Sequence, residues 1–408
     1  MLNASKGCPT AEWLTIVIPT RNRVPFLRQL LRYYAEHGCQ YPIVIGDSSD
    51  DDQVALLRAV IRQLDGRLSI SHHRYPTYEE QLPGIGTVFC MHDMLQQHVA
   101  TRYVVFVADD DFIIPAALEE AVQFLEQHPN YSTVYGKAAL VVLPQQPRGQ
   151  LYAVEPYPQR AIPEDTAVRR FENHFHHYIT NEYSVKRTAQ AAYQWQVSVE
   201  LEMDDQLLGE LLRSGLGVIQ GKTKLLNRLY MVRQGHKQMT SARSRDPFER
   251  LVSPTWPRHY ERFRRCLATA LQQQDGVPFE AGLEIVKEAF WAHMVPSLAR
   301  RRVWPHWPVP WRYQHPSKLR RVLREMALRY PVVWRLWWRL RLWLPTDANA
   351  FSLPALLRPS SPSHAEFMPI YRAIAAFLEA EYAATQQERW RLAEVAPHNG
   401  ETMTCRLP

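Results

Sequence analysis

Short apolar runs and helix-spaced apolar positions alternate along the first 110 residues. The run LTIVI at 14–18 is uninterrupted and β-branched, the pattern of a strand buried on both faces. Pro19 predicts its end. Over 24–37, Phe26, Leu27, Leu30, Leu31 and Tyr34 recur at helical spacing, and Gly38 suits a helix stop. The alternation then repeats, with strands over 41–46, 68–75 and 103–107 and helices over 54–64 and 87–99. Strands separated by helices of this length predict a parallel, doubly wound α/β sheet. Ligands of such sheets bind beyond the carboxyl ends of the strands. Two acidic clusters lie at such ends, Asp47 to Asp50 after the second strand and Asp109-Asp110-Asp111 after the fourth.

The later pattern predicts a helix over 116–128, a strand over 131–143 and a proline-punctuated surface loop over 144–163. A helix over 167–178, a strand near 182–186 and a helix over 204–214 follow. Gly215-Leu216-Gly217 is expected to close that last helix, with strands at 218–219 and 223–232. From about 241 the pattern becomes helical and tryptophan-rich. The expected organisation is an α/β domain at 1–240, a helical, Trp- and Arg-rich region at 241–396 and a loose tail at 397–408.

Composition changes this picture little: 46% hydrophobic and 22% charged residues exclude wholesale disorder. The five cysteines are widely spaced and odd in number, so neither a zinc site nor a disulfide framework is indicated. Reduced thiols of a cytoplasmic protein are the simplest reading. The start, MLNASKGCPTAEW, lacks the apolar core of a signal peptide, and no run of 18 apolar residues predicts an ordinary transmembrane helix.

Charge is uneven. Between Arg300 and Arg341 there are 12 Lys or Arg and one acid, Glu325, so this segment exceeds the whole chain's net +7 and leaves the remainder acidic. A local basic segment points to a local partner rather than a general nucleic-acid coat, and no nucleic acid is expected. Within it, VVWRLWWRLRLWL at 332–344 is too short and too arginine-rich to span a bilayer. Trp and Arg together suit the headgroup boundary. Residues 300–345 are therefore a candidate contact for an anionic membrane surface, peripheral at its inner face; packed tryptophans with solvated arginines are the alternative.

Three crowded acids after an apolar strand repel one another, and a divalent cation removes that cost. Mg²⁺ and Mn²⁺ take oxygen ligands and sit between carboxylates and substrate phosphates. The alternative for Asp109, Asp110 and Asp111 is an acidic turn or helix cap beside Pro115. Asp47 is placed to accept hydrogen bonds from a nucleobase or ribose, while Asp50 to Asp52 suit a helix N-terminus. In VIPTRNR, Pro19 and Thr20 set a turn where the first strand ends, and Arg21 and Arg23 could meet phosphate oxygens. Asp204 and Asp205 open a helix and could simply cap it. His236 follows a strand in a basic stretch with Arg233 and Lys237. His174, His176 and His177 invite a metal reading, but only His174 and His177 share a helical spacing; a helix surface or acceptor-pocket wall, with Asn181, Tyr183 or Arg187, is preferred.

Together, VIPTRNR at 17–23, Asp47 and Asp109-Asp110-Asp111 resemble the family 2 nucleotide-sugar glycosyltransferases, in order and spacing, over about 13–236. The resemblance implies a GT-A fold: a Rossmann-like, mostly parallel sheet flanked by helices, here with a C-terminal helical extension. It implies that Pro19, Thr20, Arg21, Arg23, Asp47, Asp109 and Asp110 bind the nucleotide-sugar. It further implies that Asp111, Asp109 and His236 hold Mn²⁺ or Mg²⁺. The register stays open between two readings: Asp109 and Asp111 form the motif, or Ala108 replaces its first acid and Asp110 is the second. In the family an acidic pair opens a helix at this distance, and its aspartate is the general base; Asp205 matches that position and Asp204 the one before. The implied activity is metal-dependent, inverting transfer of a sugar to a hydroxyl acceptor, a glycan or lipid-linked, in polysaccharide or glycoconjugate synthesis. The alternatives are a nucleotidyltransferase, which would want glycines where PTRNRVP stands, and a non-catalytic membrane-associated scaffold of the same fold.

Overall fold

The computed structural model of the protein describes residues 12–77, 86–143, 153–203, 205–236, 247–298 and 353–395. The four expected strands form as β1 (Leu14–Thr20), β2 (Ile43–Asp47), β3 (Ile70–Arg74) and β4 (Tyr103–Phe106). They pair in parallel in the order β3-β2-β1-β4. The period of two along each strand divides the core. Ile16, Ile18, Ile45 and Val105 pack on one face with Leu27, Leu30 and Leu57 of α1 (Val24–Glu36) and α2 (Asp51–Gln63). Val17, Val44 and Val104 pack on the other with Val88, Met91 and Met94 of α3 (Gly86–Gln97).

Beyond β4 the sheet is mixed rather than parallel. β6 (Tyr131–Val142) and β4 both pair antiparallel to β8 (Val185–Arg187), which lies between them. β9 (Lys222–Gly235) runs parallel to β6, and the two-residue β5 (Phe112–Ile113) adds antiparallel to β9. The short β5 draws the acid-bearing turn after β4 across to the carboxyl end of β9. α4 (Pro115–Gln127) follows, with Pro115 at its first turn, where a missing N–H costs nothing.

Several expectations are corrected. The loop expected over 144–163 contains β7 (Ala153–Tyr157), which pairs with β6. Residues 188–200, left without an element, form α6 (Thr188–Glu200) between β8 and the helix that follows. That helix, α7 (Gln206–Gln220), runs through Gly215 and Gly217 instead of stopping there, so 218–219 are helical. A Cβ on Gly215 would lie 3.1 Å from Leu267 and 3.2 Å from Phe171, so this glycine serves close packing rather than a stop.

The C-terminal helices cover the α/β body. α9 (Trp256–Asp275) and α10 (Phe279–Leu298), with the short α8 (Pro247–Leu251) before them, form a second core with α5 (Ala167–His176) and α7 through Phe171, Leu212, Phe263, Leu267 and Phe290. The short α11 (Leu353–Leu356) and long α12 (His364–Val395) return to the first core, where Phe367, Ile370 and Ile374 are buried. Among the described residues no helix is long and apolar enough to cross a membrane. The candidate membrane contact at 300–345, Lys237, Asp204 and the 397–408 tail lie outside the described residues.

Candidate active site

The site forms where the ends of β1, β2, β4 and β9 meet. After β1 the chain turns through Asn22, whose φ of 53° lies in the left-handed region that asparagine tolerates better than most residues. Asn22 clamps this turn to the one after β2. Its backbone N–H donates to Ser49 Oγ (2.8 Å), its side-chain Nδ2 donates to Asp50 Oδ2 (2.8 Å), and Asp50 N–H donates back to its side-chain Oδ1 (2.9 Å). Pro19 lies in register with Gly46. Arg21 is half-buried in the same turn.

Asp47 ends β2 fully buried. Ser49 N–H donates to its Oδ1 (2.8 Å) and His72 Nε2 lies 2.9 Å from its Oδ2. Burial alone would raise its carboxyl, but the bonds from His72 and Ser49 hold it below the usual range. His72, on the neighbouring strand β3, was not foreseen from the sequence; the alternation in ISHHR was its only signal. His72 lies over the carboxylate expected to meet a nucleobase directly.

The acid triplet is parted by its partners. Thr20 Oγ1 donates to Asp109 Oδ2 (2.8 Å), and Arg23 Nη1 is 2.8 Å from Asp109 Oδ1. Arg23 Nη2 bonds Asp110 Oδ2 and lies 3.2 Å from His236 Nε2, which is itself 2.8 Å from that same oxygen. Asp111 points elsewhere: Arg233 Nε donates to its Oδ2 (2.9 Å) and Gln234 N–H to its Oδ1 (3.0 Å). The residue facing His236 is therefore Asp110. Burial raises the carboxyls of Asp109 and Asp111 despite their arginines, and the neighbouring acids add to this. Burial would raise Asp110 too, but His236 and Arg23 hold it low. His236 stacks on Phe26 of α1 with ring centroids 4.5 Å apart, and Phe26 in turn meets Phe377 of α12.

Arg233 is held between two tyrosine rings. Its guanidinium carbon lies 4.9 Å from the Tyr157 ring centroid and 4.7 Å from that of Tyr183, and its Nη1 donates to Tyr157 Oη (2.8 Å). Tyr183 stacks on Phe106 at 5.1 Å, and Phe106 meets Trp195. An aromatic wall thus runs from the acid turn to α6. Beyond it, Arg213 lies 3.9 Å over the Trp195 ring and donates through Nε to Glu182 Oε1 (2.7 Å). Glu210, on α7, accepts from Tyr178 Oη (2.7 Å). Burial first, then Glu182, raises the Glu210 carboxyl, while Arg213 and Arg233 act against that. A small cavity adjoins this region, lined by Phe106, Glu182, Ser184, Lys186, Trp195 and Arg213 among others. Tyr183 was an expected acceptor contact; Tyr157, Glu182, Glu210 and Arg213 carried no motif.

Among the described residues, no contact of Asp205 reaches the acid turn. It is the N-cap of α7, accepting from Leu208 N–H at 3.0 Å, and both its oxygens engage Arg250. The capping alternative is what the structure displays. His174 is buried between Phe175 and Tyr178, with its imidazole pushed down to about 3 by burial, whereas His177 is exposed; the two do not face a common ligand.

Among the described residues no group of three or more His, Cys, Asp or Glu side chains is arranged to hold a metal ion. Two donors do converge: Asp110 Oδ2 and His236 Nε2, 2.8 Å apart. Adjacent ligands of an octahedral shell with bonds of about 2.1 Å are themselves roughly 3 Å apart, so this pair fits one edge of such a shell.

No family model matches the chain, and no curated protein matches its sequence. Solved structures similar to it include S. aureus TarS, at 16% identity over 69% of this chain and a TM-score of 0.41. The chain spans only 43% of that TarS chain. TarS residues 1–349 match at 15% identity over 73% of this chain and 76% of theirs, with a TM-score of 0.43. The mannosyltransferase PcManGT from Pyrobaculum calidifontis, solved in complex with GDP-Man and Mn²⁺, matches at 14% identity over 79% of this chain and 82% of its own, with a TM-score of 0.37.

Proposed function

We propose that this chain is a glycosyltransferase that moves a sugar from a nucleoside-diphosphate sugar to a hydroxyl of a glycan or lipid-linked acceptor, with inversion. One observation carries the reading. Asp47, Thr20, Arg23, the acids 109–111 and His236 come from four separate segments and meet at the carboxyl edge of one sheet. That edge is where open α/β sheets bind ligands.

Asp110 and His236 would hold a divalent cation as two protein donors. Bound there, Mn²⁺ or Mg²⁺ supplies positive charge to the diphosphate as it departs. Arg23 lines the same turn and suits phosphate oxygens by its forked geometry, while Arg233 balances Asp111. Thr20 holds Asp109 in place, and Asp47 with His72 forms the floor on the nucleoside side.

The acceptor side is the aromatic wall of Tyr183, Phe106 and Trp195, whose rings suit the apolar faces of a sugar. Transfer needs a base for the acceptor hydroxyl. The acceptor oxygen bonds the anomeric carbon, the bond from that carbon to the phosphate oxygen breaks, and the electron pair leaves with the diphosphate. The hydroxyl proton goes to a carboxylate. Asp205, expected in that role, would have to leave Arg250 to act. Glu210, further along α7 and within electrostatic reach of Arg233, is half-buried with a raised carboxyl, and we propose it for the role. A raised carboxyl is the better matched base near neutral pH.

The test is a thermal-shift and calorimetric screen of nucleoside diphosphates and their sugars, with and without Mn²⁺. One nucleotide that stabilises the protein, together with release of that diphosphate when an acceptor is added, supports the reading. No stabilisation by any of them rejects it.

A further inference from the structure

Two arginines neutralise the acid turn, but they are held differently. Arg233 is enclosed between the Tyr157 and Tyr183 rings and bonded to the deepest acid, Asp111. Arg23 is as exposed as Arg233, 18% against 17% for the side chain, but it bridges two acids, Asp109 and Asp110, instead of resting between two rings. Its Nε is buried with no hydrogen-bond partner among the described residues, so the guanidinium is incompletely satisfied where it stands. Its Nη2 bonds Asp110 Oδ2 and approaches His236 Nε2 at 3.2 Å. A neutral imidazole nitrogen cannot donate to Asp110 and accept from Arg23 at once. Nη2 thus stands within reach of the same two atoms, Asp110 Oδ2 and His236 Nε2, that would hold a cation.

We infer that Arg23 occupies the cation position of the ligand-free site, so that a divalent cation binds Asp110 and His236 only once a diphosphate draws the guanidinium away. The inference rests on the reading of the site as a nucleoside-diphosphate site. Phosphate oxygens offer Arg23 the forked, charged partners it gives up on Asp109 and Asp110, and they complete the cation's shell. Coupling is reciprocal: the diphosphate raises cation affinity by the factor by which the cation raises diphosphate affinity. Arg233, locked by its tyrosines, stays on Asp111 throughout.

The experiment measures Mn²⁺ binding directly, from loss of the free-ion paramagnetic resonance signal, on the full chain with no acceptor present. Probes are Mn²⁺ alone, Mn²⁺ with each of five nucleoside diphosphates, and Mn²⁺ with pyrophosphate. The wild type is expected to bind Mn²⁺ at least tenfold more tightly once its diphosphate is present. Arg23→Met, similar in reach but uncharged, is expected to bind Mn²⁺ alone at least tenfold more tightly than the wild type, with most of the coupling gone. His236→Ala should lose Mn²⁺ in both settings. Equal Mn²⁺ affinity of the wild type with and without a bound diphosphate overturns the inference, and this arm needs no variant. Weak Mn²⁺ binding that Arg23→Met leaves unchanged also overturns it, provided the variant melts cooperatively; Arg23→Gln replaces it if not. If no nucleoside diphosphate or pyrophosphate binds while Arg23→Met still gains Mn²⁺ affinity, the nucleotide reading fails and Arg23's place in the cation position stands.

Discussion

Both carboxylate oxygens of Asp205 lie against one nitrogen of Arg250, at 2.5 and 2.6 Å, and Arg250 is itself buried. This pair ties the start of α7 to α8. Asp205→Asn keeps a capping side chain but removes this carboxylate's charge from the buried guanidinium. Removing one partner of a buried pair costs about 3 kcal/mol or more. The variant should therefore melt several degrees lower yet transfer sugar at close to the wild-type rate at low temperature. A loss of transfer of a hundredfold or more, with melting unchanged, would return the base to Asp205.

Glu210→Gln removes the carboxylate without changing its shape, and Tyr178 can still donate to the amide oxygen. Loss of a general base costs about 10²–10⁴-fold in turnover. Turnover should fall by that much, and nucleoside-diphosphate affinity measured by calorimetry should stay within twofold. Retained turnover, or an equal loss of donor binding, rules Glu210 out as the base.

The first half of the fold was legible because its strands are buried on both faces and its helices on one, so periodicity speaks directly. The second half was obscured where packing overrides local signals. Gly215 and Gly217 read as a stop, yet α7 continues because Leu267 and Phe171 need the space of a side chain at Gly215. TAQAAYQWQVSVE at 188–200 has a weak apolar stripe, and its helix is selected by Trp195 and Ala191 packing on α3. At the site, the acids and basic residues were visible as motifs. Which acid faces His236 was not, because that depends on β5 pairing with β9 and turning Asp111 toward Arg233. Glu210 and Tyr157 are joined to the site only by tertiary contacts, and no local pattern marks them.

Gly46 tests how closely α3 must approach the sheet. A Cβ there would fall 2.4 Å from Cys90 Sγ and 2.7 Å from Met94 Sδ, on the face of β2 just before Asp47. Both side chains sit in a filled core, so overpacking should cost about 1–3 kcal/mol. Gly46→Ala should lower the urea midpoint accordingly, and Gly46→Ala with Met94→Ala should recover part of the loss. Full stability of the single variant would show that α3 shifts freely.

Lys186 gives the fold an unusual pH response. It is buried on β8, donates to Gln194 Oε1 at 2.8 Å, and burial lowers its ammonium to about 8, from the ordinary 10.5. Between these values the unfolded chain holds a proton that the folded chain has released. Stability from this group therefore rises with pH from about 8 to about 10.5, and below about 8 the folded state bears the full cost of the buried charge, about 3 kcal/mol. Buried tyrosines such as Tyr230 and Tyr135, whose hydroxyls burial raises, act in the opposite sense once unfolded tyrosines ionise near 10. The comparison is thus made between pH 7.5 and 9.5, wild type against Lys186→Met, by urea unfolding. The wild type should gain stability relative to the variant by about 2 kcal/mol over this interval. A difference between the two that does not change with pH would mean that Lys186 keeps its proton in the folded state throughout, held by Glu182 across the cavity.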